Sequence, residues 1–292
     1  MDILSEITGH KRIEVELQKQ AVSPEQLREQ VRDLMENSPA PRRSMKRALA
    51  SSPAGIIAEF KRRSPSKGWI YETAKADEIP AAYEAAGASA ISILTDAKFF
   101  GGSLRDIRTA RPLVDIPILR KDFIIDEYQL LQARIAGADA VLLIATCLTQ
   151  EECADLTARA HALGLEVLLE IHSPRELAYI SKDVDMVGVN NRNLGTFVTD
   201  VENSFRIAGQ LRQTIADVRN IPDAQDSSDT PQNLPLLVSE SGISHPETIC
   251  RLRTAGFRGF LIGETFMKTP QPGDALKGFI QGIEETEAQK SL

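Results

Sequence analysis

Ala85-Ala86-Gly87-Ala88, followed at once by the apolar run Ala90-Ile91-Ser92-Ile93-Leu94, contains a complete helix-to-strand joint. A glycine just past the last helical turn accepts the left-handed backbone that ends a helix, and the short apolar run then reads as a buried strand. The same joint returns at Ile135-Ala136-Gly137-Ala138, His161-Ala162-Leu163-Gly164 and Thr254-Ala255-Gly256-Phe257. Apolar runs recur at Ile56–Ala58, Ala90–Leu94, Pro117–Leu119, Ala140–Ala145, Glu166–Leu169, Met186–Val189, Leu236–Val238 and Gly259–Ile262. Eight strands, each followed by a helix, predict a parallel sheet closed into a (β/α)8 TIM barrel. An open doubly wound sheet is the alternative. Its dinucleotide-binding version is weakened because no GxGxxG turn follows the first run.

Outside this rhythm lie two segments. Residues 1–50 are polar and helical in period, with Ile3, Ile7, Ile13 and Leu17 predicted to form the apolar stripe. Ser23-Pro24-Glu25-Gln26 reads as a cap with proline at the first helical position. This is an N-terminal helical extension, too short and polar to hold a core of its own. Residues 219–234 are polar, acidic and flanked by proline, and predict a loop insertion on the N-terminal face of the barrel. All 292 residues are expected to form one barrel domain.

Hydrophobic content of 42% supports a large core, and a net charge of -7 disfavours a nucleic-acid partner. The amino terminus has an early acid and no apolar h-region, so no secretory signal is expected. No run approaches a membrane-spanning length, and Cys147, Cys153 and Cys250 lack disulfide or zinc spacing. These features predict a cytoplasmic protein without a membrane partner. His10, His161, His172 and His245 are scattered, so no metal site is expected, and His172 reads as a solvated loop residue.

Barrel enzymes draw their reactive groups from the C-terminal ends of several strands. Side chains alternate along a strand, so Glu59 and Lys61 share a face in Ile56-Ile57-Ala58-Glu59-Phe60-Lys61. Lys121 is in phase with Leu119 and Phe123, and Glu170 with Leu168. Asn190 and Arg192 are in phase with Gly188, whose missing side chain leaves room inside the barrel, and the seventh strand ends in Glu240. Each charge alone has an ordinary structural explanation, such as a snorkelling lysine or a capping acid. Together, inward polar residues at five strand ends indicate a reaction site. Ser241-Gly242-Ile243 and Gly263-Glu264-Thr265 follow the seventh and eighth strands, where backbone N–H groups of this fold grip phosphate.

The strings IIAEFKRRSPSKG (56–68), ILTDAKFFGGS (93–103), PILRKDFIIDEYQ (117–129), EVLLEIH (166–172), GVNNRNL (188–194), VSESGI (238–243) and LIGETFM (261–267) resemble indole-3-glycerol-phosphate synthase. The likeness runs from the N-terminal extension through the eighth strand. It implies the tryptophan-pathway step that converts 1-(2-carboxyphenylamino)-1-deoxyribulose 5-phosphate into indole-3-glycerol phosphate, CO2 and water. By resemblance, Lys121 is the acid for ring closure, Glu170 serves the dehydration half of the chemistry, and Glu59 is a second acid-base group. Lys61 matches the holder of the substrate carboxylate. Phe100, Phe123 and Leu142 match the cradle of the anthranilate ring, and Asn190, Arg192 and Glu240 the surroundings of the ribulose chain. Ser64, Ser241, Gly242, Gly263 and Glu264 match the phosphate site, with Glu264 expected to act through its backbone N–H.

The resemblance further implies a small sugar-phosphate as the sole ligand, no cofactor, and a monomer with at most weak association with other tryptophan-pathway enzymes. The rival chemistry is a Schiff-base aldolase-type barrel with Lys121 as nucleophile. That lysine would need a lowered pKa, whereas this one has acids at hand.

Overall fold

The computed structural model describes residues 3–37, 43–193, 195, 198–219 and 234–290. Three helices, α1 (Ile3–Ala21), α2 (Pro24–Asn37) and α3 (Met45–Ser51), precede the barrel. The barrel strands are β1 (Ile56–Phe60), β2 (Ala90–Leu94), β3 (Ile118–Lys121), β4 (Ala140–Ile144), β5 (Glu166–Ile171), β6 (Met186–Asn190), β7 (Leu236–Glu240) and β8 (Gly259–Ile262). All neighbours pair in parallel and β1 pairs with both β2 and β8, so the ring is closed. This settles the choice against an open sheet. The intervening helices are α4 (Ile79–Ala85), α5 (Ala97–Phe100), α6 (Leu104–Ala110), α7 (Glu127–Ala136), α8 (Gln150–Ala162), α9 (Glu202–Arg219), α10 (Pro246–Thr254), α11 (Glu264–Met267) and α12 (Pro272–Lys290). Gly87 and Gly137, at helix-to-strand joints, take φ of 97° and 95°, which a side chain would oppose. Among the described residues no helix is long and apolar enough to cross a membrane.

Two apolar layers follow from the two-residue period of the strands. Outward residues such as Ile56, Ile91, Val141 and Leu169 pack under the helices. Inward residues Ile57, Leu119, Leu142, Leu168, Val238 and Leu261 fill the lumen, with Met45 and Leu49 of α3 plugging its N-terminal end. The lumen is therefore solid below and open above, at the end where the strand-end charges gather.

Three expectations need correction or limitation. The stripe on α1 that faces the protein is Ile7, Lys11 and Val15, whereas Ile13 and Leu17 are 64% and 59% exposed. The four-residue spacing selects one face, but the carboxylates that draw Lys11 inward are distant in sequence. No α-helix lies between β5 and β6; a 3-10 helix, Pro174–Tyr179, with proline at its start, takes that place. Residues 220–233 of the expected 219–234 insertion lie outside the described residues. The Ser23 cap is present: its Oγ accepts from the Gln26 N–H at 3.3 Å, while Gln26 Oε1 accepts from the Ser23 N–H at 2.8 Å.

Lys11 ties the extension to the barrel. Only 1% exposed, its Nζ lies 2.9 Å from Glu14, 2.9 Å from Asp96 and 3.0 Å from Asp122. Asp96 caps α5 through the Phe99 N–H at 2.7 Å, and Asp122 also takes Arg120 Nη2 at 3.0 Å and the Thr95 hydroxyl at 2.6 Å. Removing one partner of such a buried set leaves the others uncompensated. Lys11→Met is expected to cost about 3–5 kcal/mol in urea unfolding; a loss below about 1 kcal/mol would refute a structural role for the cluster. Burial pushes the Asp122 carboxyl up, but Arg120 and Lys11 outweigh it and bring it down to about 2. A depressed folded-state pKa stabilises above the unfolded value of about 3.9 and ceases to do so as pH falls past the folded one. Unfolding free energy should therefore drop between about pH 4 and pH 2, and drop less steeply in Lys11→Met.

Candidate active site

The open end of the barrel encloses a cavity of about 600 Å³. Glu59, Lys61, Lys121, Glu170, Asn190 and Arg192 line it, as the two-residue strand period required. Phe100 and Phe123 stand on its wall with ring centroids 6.0 Å apart and planes tilted by 37°, and Leu142 lies on the same wall. Ser241, Gly242, Gly263 and Glu264 line it from the loops after β7 and β8. Two expected residues are not on the wall. Glu240 lies beneath it, 1% exposed, within reach of Lys121. Ser64 is buried beside the short ribbon that pairs Arg63–Ser64 with Gly68–Trp69.

The ion pairs interlock. Lys121 Nζ is 3.4 Å from Glu170 Oε2 and 3.5 Å from Glu240 Oε2, and Lys61 pairs with Glu59. Burial lowers the lysine's proton affinity, but Glu170, Glu240 and Glu59 more than reverse this, so Lys121 stays an ammonium. Burial raises the Glu170 carboxyl, yet Lys121, His172 and Asn190 bring it well below the usual range. Glu240 goes the other way. Burial raises it, and Lys121 does not offset the repulsion from Glu170 and Glu59. The two carboxyls are thus pushed in opposite directions, which favours any shared proton on Glu240. Glu59 is held ionised by Lys61 and Lys121 against its burial.

Two glycines make this crowding feasible. A Cβ at Gly188 would come within 2.1 Å of Glu240 Oε1, and one at Gly263 within 2.2 Å of Glu59 Oε1. Gly188 was legible as a space-maker in the sequence; the second use of Gly263 was not.

At the mouth, the Glu264 carboxylate lies 3.7 Å from Lys67 and 3.6 Å from Arg192, so local cations neutralise it. Arg192 Nη1 also donates to Ser66 Oγ at 3.1 Å. Lys67, Ser66 and Lys268 on the wall went unassigned in the sequence, although the Ser-Pro-Ser-Lys-Gly loop contains the first two. Ser241 has φ of 68°, the sole described non-glycine residue in the left-handed region. Asn191 holds it there, donating to the Ser241 carbonyl at 3.0 Å and to Ser239 Oγ at 3.1 Å. Asn191 is thus a buried brace. His172 is also no solvated loop residue; its imidazole is 13% exposed and sits against Glu170.

The family model described as indole-3-glycerol phosphate synthase matches residues 4–279. A protein named indole-3-glycerol phosphate synthase from Bacteroides thetaiotaomicron is 67% identical over 97% of this chain and 99% of its own length. Proteins of the same name from Prochlorococcus marinus (strain MIT 9215) and Syntrophobacter fumaroxidans are 42% and 40% identical, over 91% and 93% of this chain and 85% and 94% of their own. Among solved structures, tryptophan synthase subunit alpha from Legionella pneumophila superposes with a TM-score of 0.57 at 16% identity, covering 84% of this chain and all of that one. At that identity the likeness speaks to the barrel alone.

Gly188→Ala is expected to cost about 1–3 kcal/mol through overpacking against Glu240 and to reduce turnover about tenfold or more. Gly209→Ala, in α9 with nothing within 4 Å of the added carbon, should leave turnover unchanged and stabilise slightly. Equal effects of the two substitutions would refute the crowding argument.

Proposed function

The chain belongs to the indole-3-glycerol phosphate synthase family, a family of decarboxylating lyases of tryptophan biosynthesis, and from that premise we propose how its cavity carries the reaction. The substrate, 1-(2-carboxyphenylamino)-1-deoxyribulose 5-phosphate, enters with its phosphate toward the loops after β7 and β8. There Ser241, Gly242, Gly263 and Glu264 line the cavity with Lys67 and Arg192, and we assign the grip on phosphate to their backbone N–H groups and these two cations. Its aromatic ring rests between Phe100, Phe123 and Leu142. Its carboxylate takes the Lys61 ammonium, releasing that cation from Glu59.

Ring closure forms a bond between the ring carbon that bears the carboxylate and the ketone carbon. The electron pair of the C=O bond moves to oxygen, and the Lys121 ammonium protonates that oxygen. The carboxylate then leaves as CO2, and its bonding pair restores the aromatic ring. Dehydration removes the new hydroxyl as water and a proton from the neighbouring carbon. Glu170, held ionised, accepts that proton, and acid help for the hydroxyl comes from Lys121 or from Glu59 once protonated. The observation that carries this reading is the Lys121 amine set among the carboxyl groups of Glu170, Glu240 and Glu59 at the head of an apolar barrel, which favours its ammonium form. The same charge state disfavours a Schiff-base nucleophile, which must be neutral to attack.

The two members off the cavity wall fit as supports, Glu240 under Lys121 and Ser64 beneath the phosphate loop. A cytoplasmic monomer acting on a free small molecule completes the proposal.

In a fluorescence assay for the indole product, turnover is expected without added metal or nucleotide and in the presence of a chelator. Lys121→Ala and Glu170→Gln should each lower kcat by about a thousandfold, with inorganic phosphate still protecting against heat. Wild-type turnover in Lys121→Ala would end the acid assignment. Borohydride should trap no substrate adduct on the lysine; a covalent adduct would favour the aldolase chemistry.

A further inference from the structure

His172 is the first residue past β5, and its backbone is held from both sides. Its N–H donates to Glu176 Oε2 at 2.6 Å, and its carbonyl accepts from Asn203 Nδ2 of α9 at 3.2 Å. The ring stands between two carboxylates: Nε2 is 3.3 Å from Glu170 Oε1 and Nδ1 is 3.6 Å from Glu176 Oε2. Glu176 is itself fixed, accepting from the Ser173 hydroxyl at 3.0 Å. Each oxygen of Glu170 therefore faces a cation source, the imidazole at Oε1 and the Lys121 ammonium at Oε2. His172 is absent from the wall of the active cavity. It lines a second cavity behind it, together with Asn190, Arg192, Asp200 and Arg206. It therefore stands outside the chamber walled by Phe100 and Phe123.

We infer that His172, backed by Glu176, is a positioning residue that keeps Glu170 ionised and aimed into the cavity. The need for one arises from Glu240. Two carboxyl groups share the space beneath Lys121, and like charges in a low-dielectric site cannot both stay ionised. Lys121 lies almost equally far from both, so it does not decide which one takes the proton. His172 breaks the tie because its ring contacts Glu170 and not Glu240. The proton then resides on Glu240, and the carboxylate that faces the substrate remains free to act as a base. This inference rests on the proposed role of Glu170 in proton transfer.

The imidazole must be charged for this to work. Burial disfavours that charge, but Glu170 and Glu176 outweigh it and push the ring up to about 9. The charged groups against the ring are Glu170 from β5 and Glu176 from the 3-10 helix; the uncharged Asn190 and Asn203 and the charged Asp200 and Arg206 share the second cavity with it. Removing the cation raises the proton affinity of Glu170, so the acid limb of the kcat–pH profile moves to higher pH.

In His172→Gln, which keeps a donor but not a charge, the acid limb should rise by about one pH unit or more. The substrate KM at the optimum should change less than threefold, because the ring does not contact substrate. Nitrogen-resolved NMR gives a readout independent of activity. With four histidines in the chain, the His172 ring should titrate well above the ordinary value of about 6.5, and downward of that wild-type position in both Glu170→Gln and Glu176→Gln. If His172→Gln fails to fold, the Glu176→Gln titration and its lowered alkaline limb carry the test. An unmoved kcat–pH profile with a normal histidine titration would overturn the inference. Retained turnover in Glu170→Gln would instead overturn the proposed role of Glu170, so the two failures are distinguishable.

Discussion

Lys121 stands at the height in the lumen where leucine gives way to glutamate, and the electrostatics of the site follow from that placement. Below it, Leu119, Leu142, Leu168 and Val238 exclude water. Around it are Glu59, Glu170 and Glu240, all nearly inaccessible to solvent. An ammonium there is tolerable only because carboxylates surround it, and the carboxylates are tolerable only because it is there. With Lys61 counted, three acids face two ammoniums, and the surplus negative charge raises the proton affinity of Glu240. The barrel supplies the rigid spacing that keeps these charges close without letting them collapse into one pair.

That dependence explains why small residues sit where they do. Gly188 and Gly263 are empty space reserved for carboxylates from neighbouring strands. Loops above the ring are tied down by similar means. Asn191 fixes the unusual backbone of Ser241, and Lys11 joins Asp96 and Asp122, which flank the segments bearing Phe100 and Lys121. The N-terminal extension therefore reaches the reaction chamber through one buried side chain.

Much of this was legible in the amino-acid order. Strand periodicity is a strict alternation, so Glu59, Lys121, Glu170 and Asn190 could be placed inside the ring once the apolar runs were aligned. Helix-ending glycines marked the joints. The misreadings occur where alternation stops or where the partner is distant. His172 follows the last residue of β5, so phase says nothing about its neighbours. On α1 the buried face includes Lys11, whose counter-ions Asp96 and Asp122 come from the loops after β2 and β3, so the apolar spacing alone did not pick it out. Ser64 illustrates the same limit: a loop residue one step from the cavity has no period to say which way it turns.

The ring is sealed by β1 and β8, the first and last barrel strands along the chain. A ribosome must therefore release nearly the whole polypeptide before the seam can zip. Until then β1 offers an open hydrogen-bonding edge, and α3 has no lumen in which to seat Met45 and Leu49. Closing the ring is thus the longest-range pairing in the molecule, and its loop-closure entropy is met only when both ends of the barrel are present.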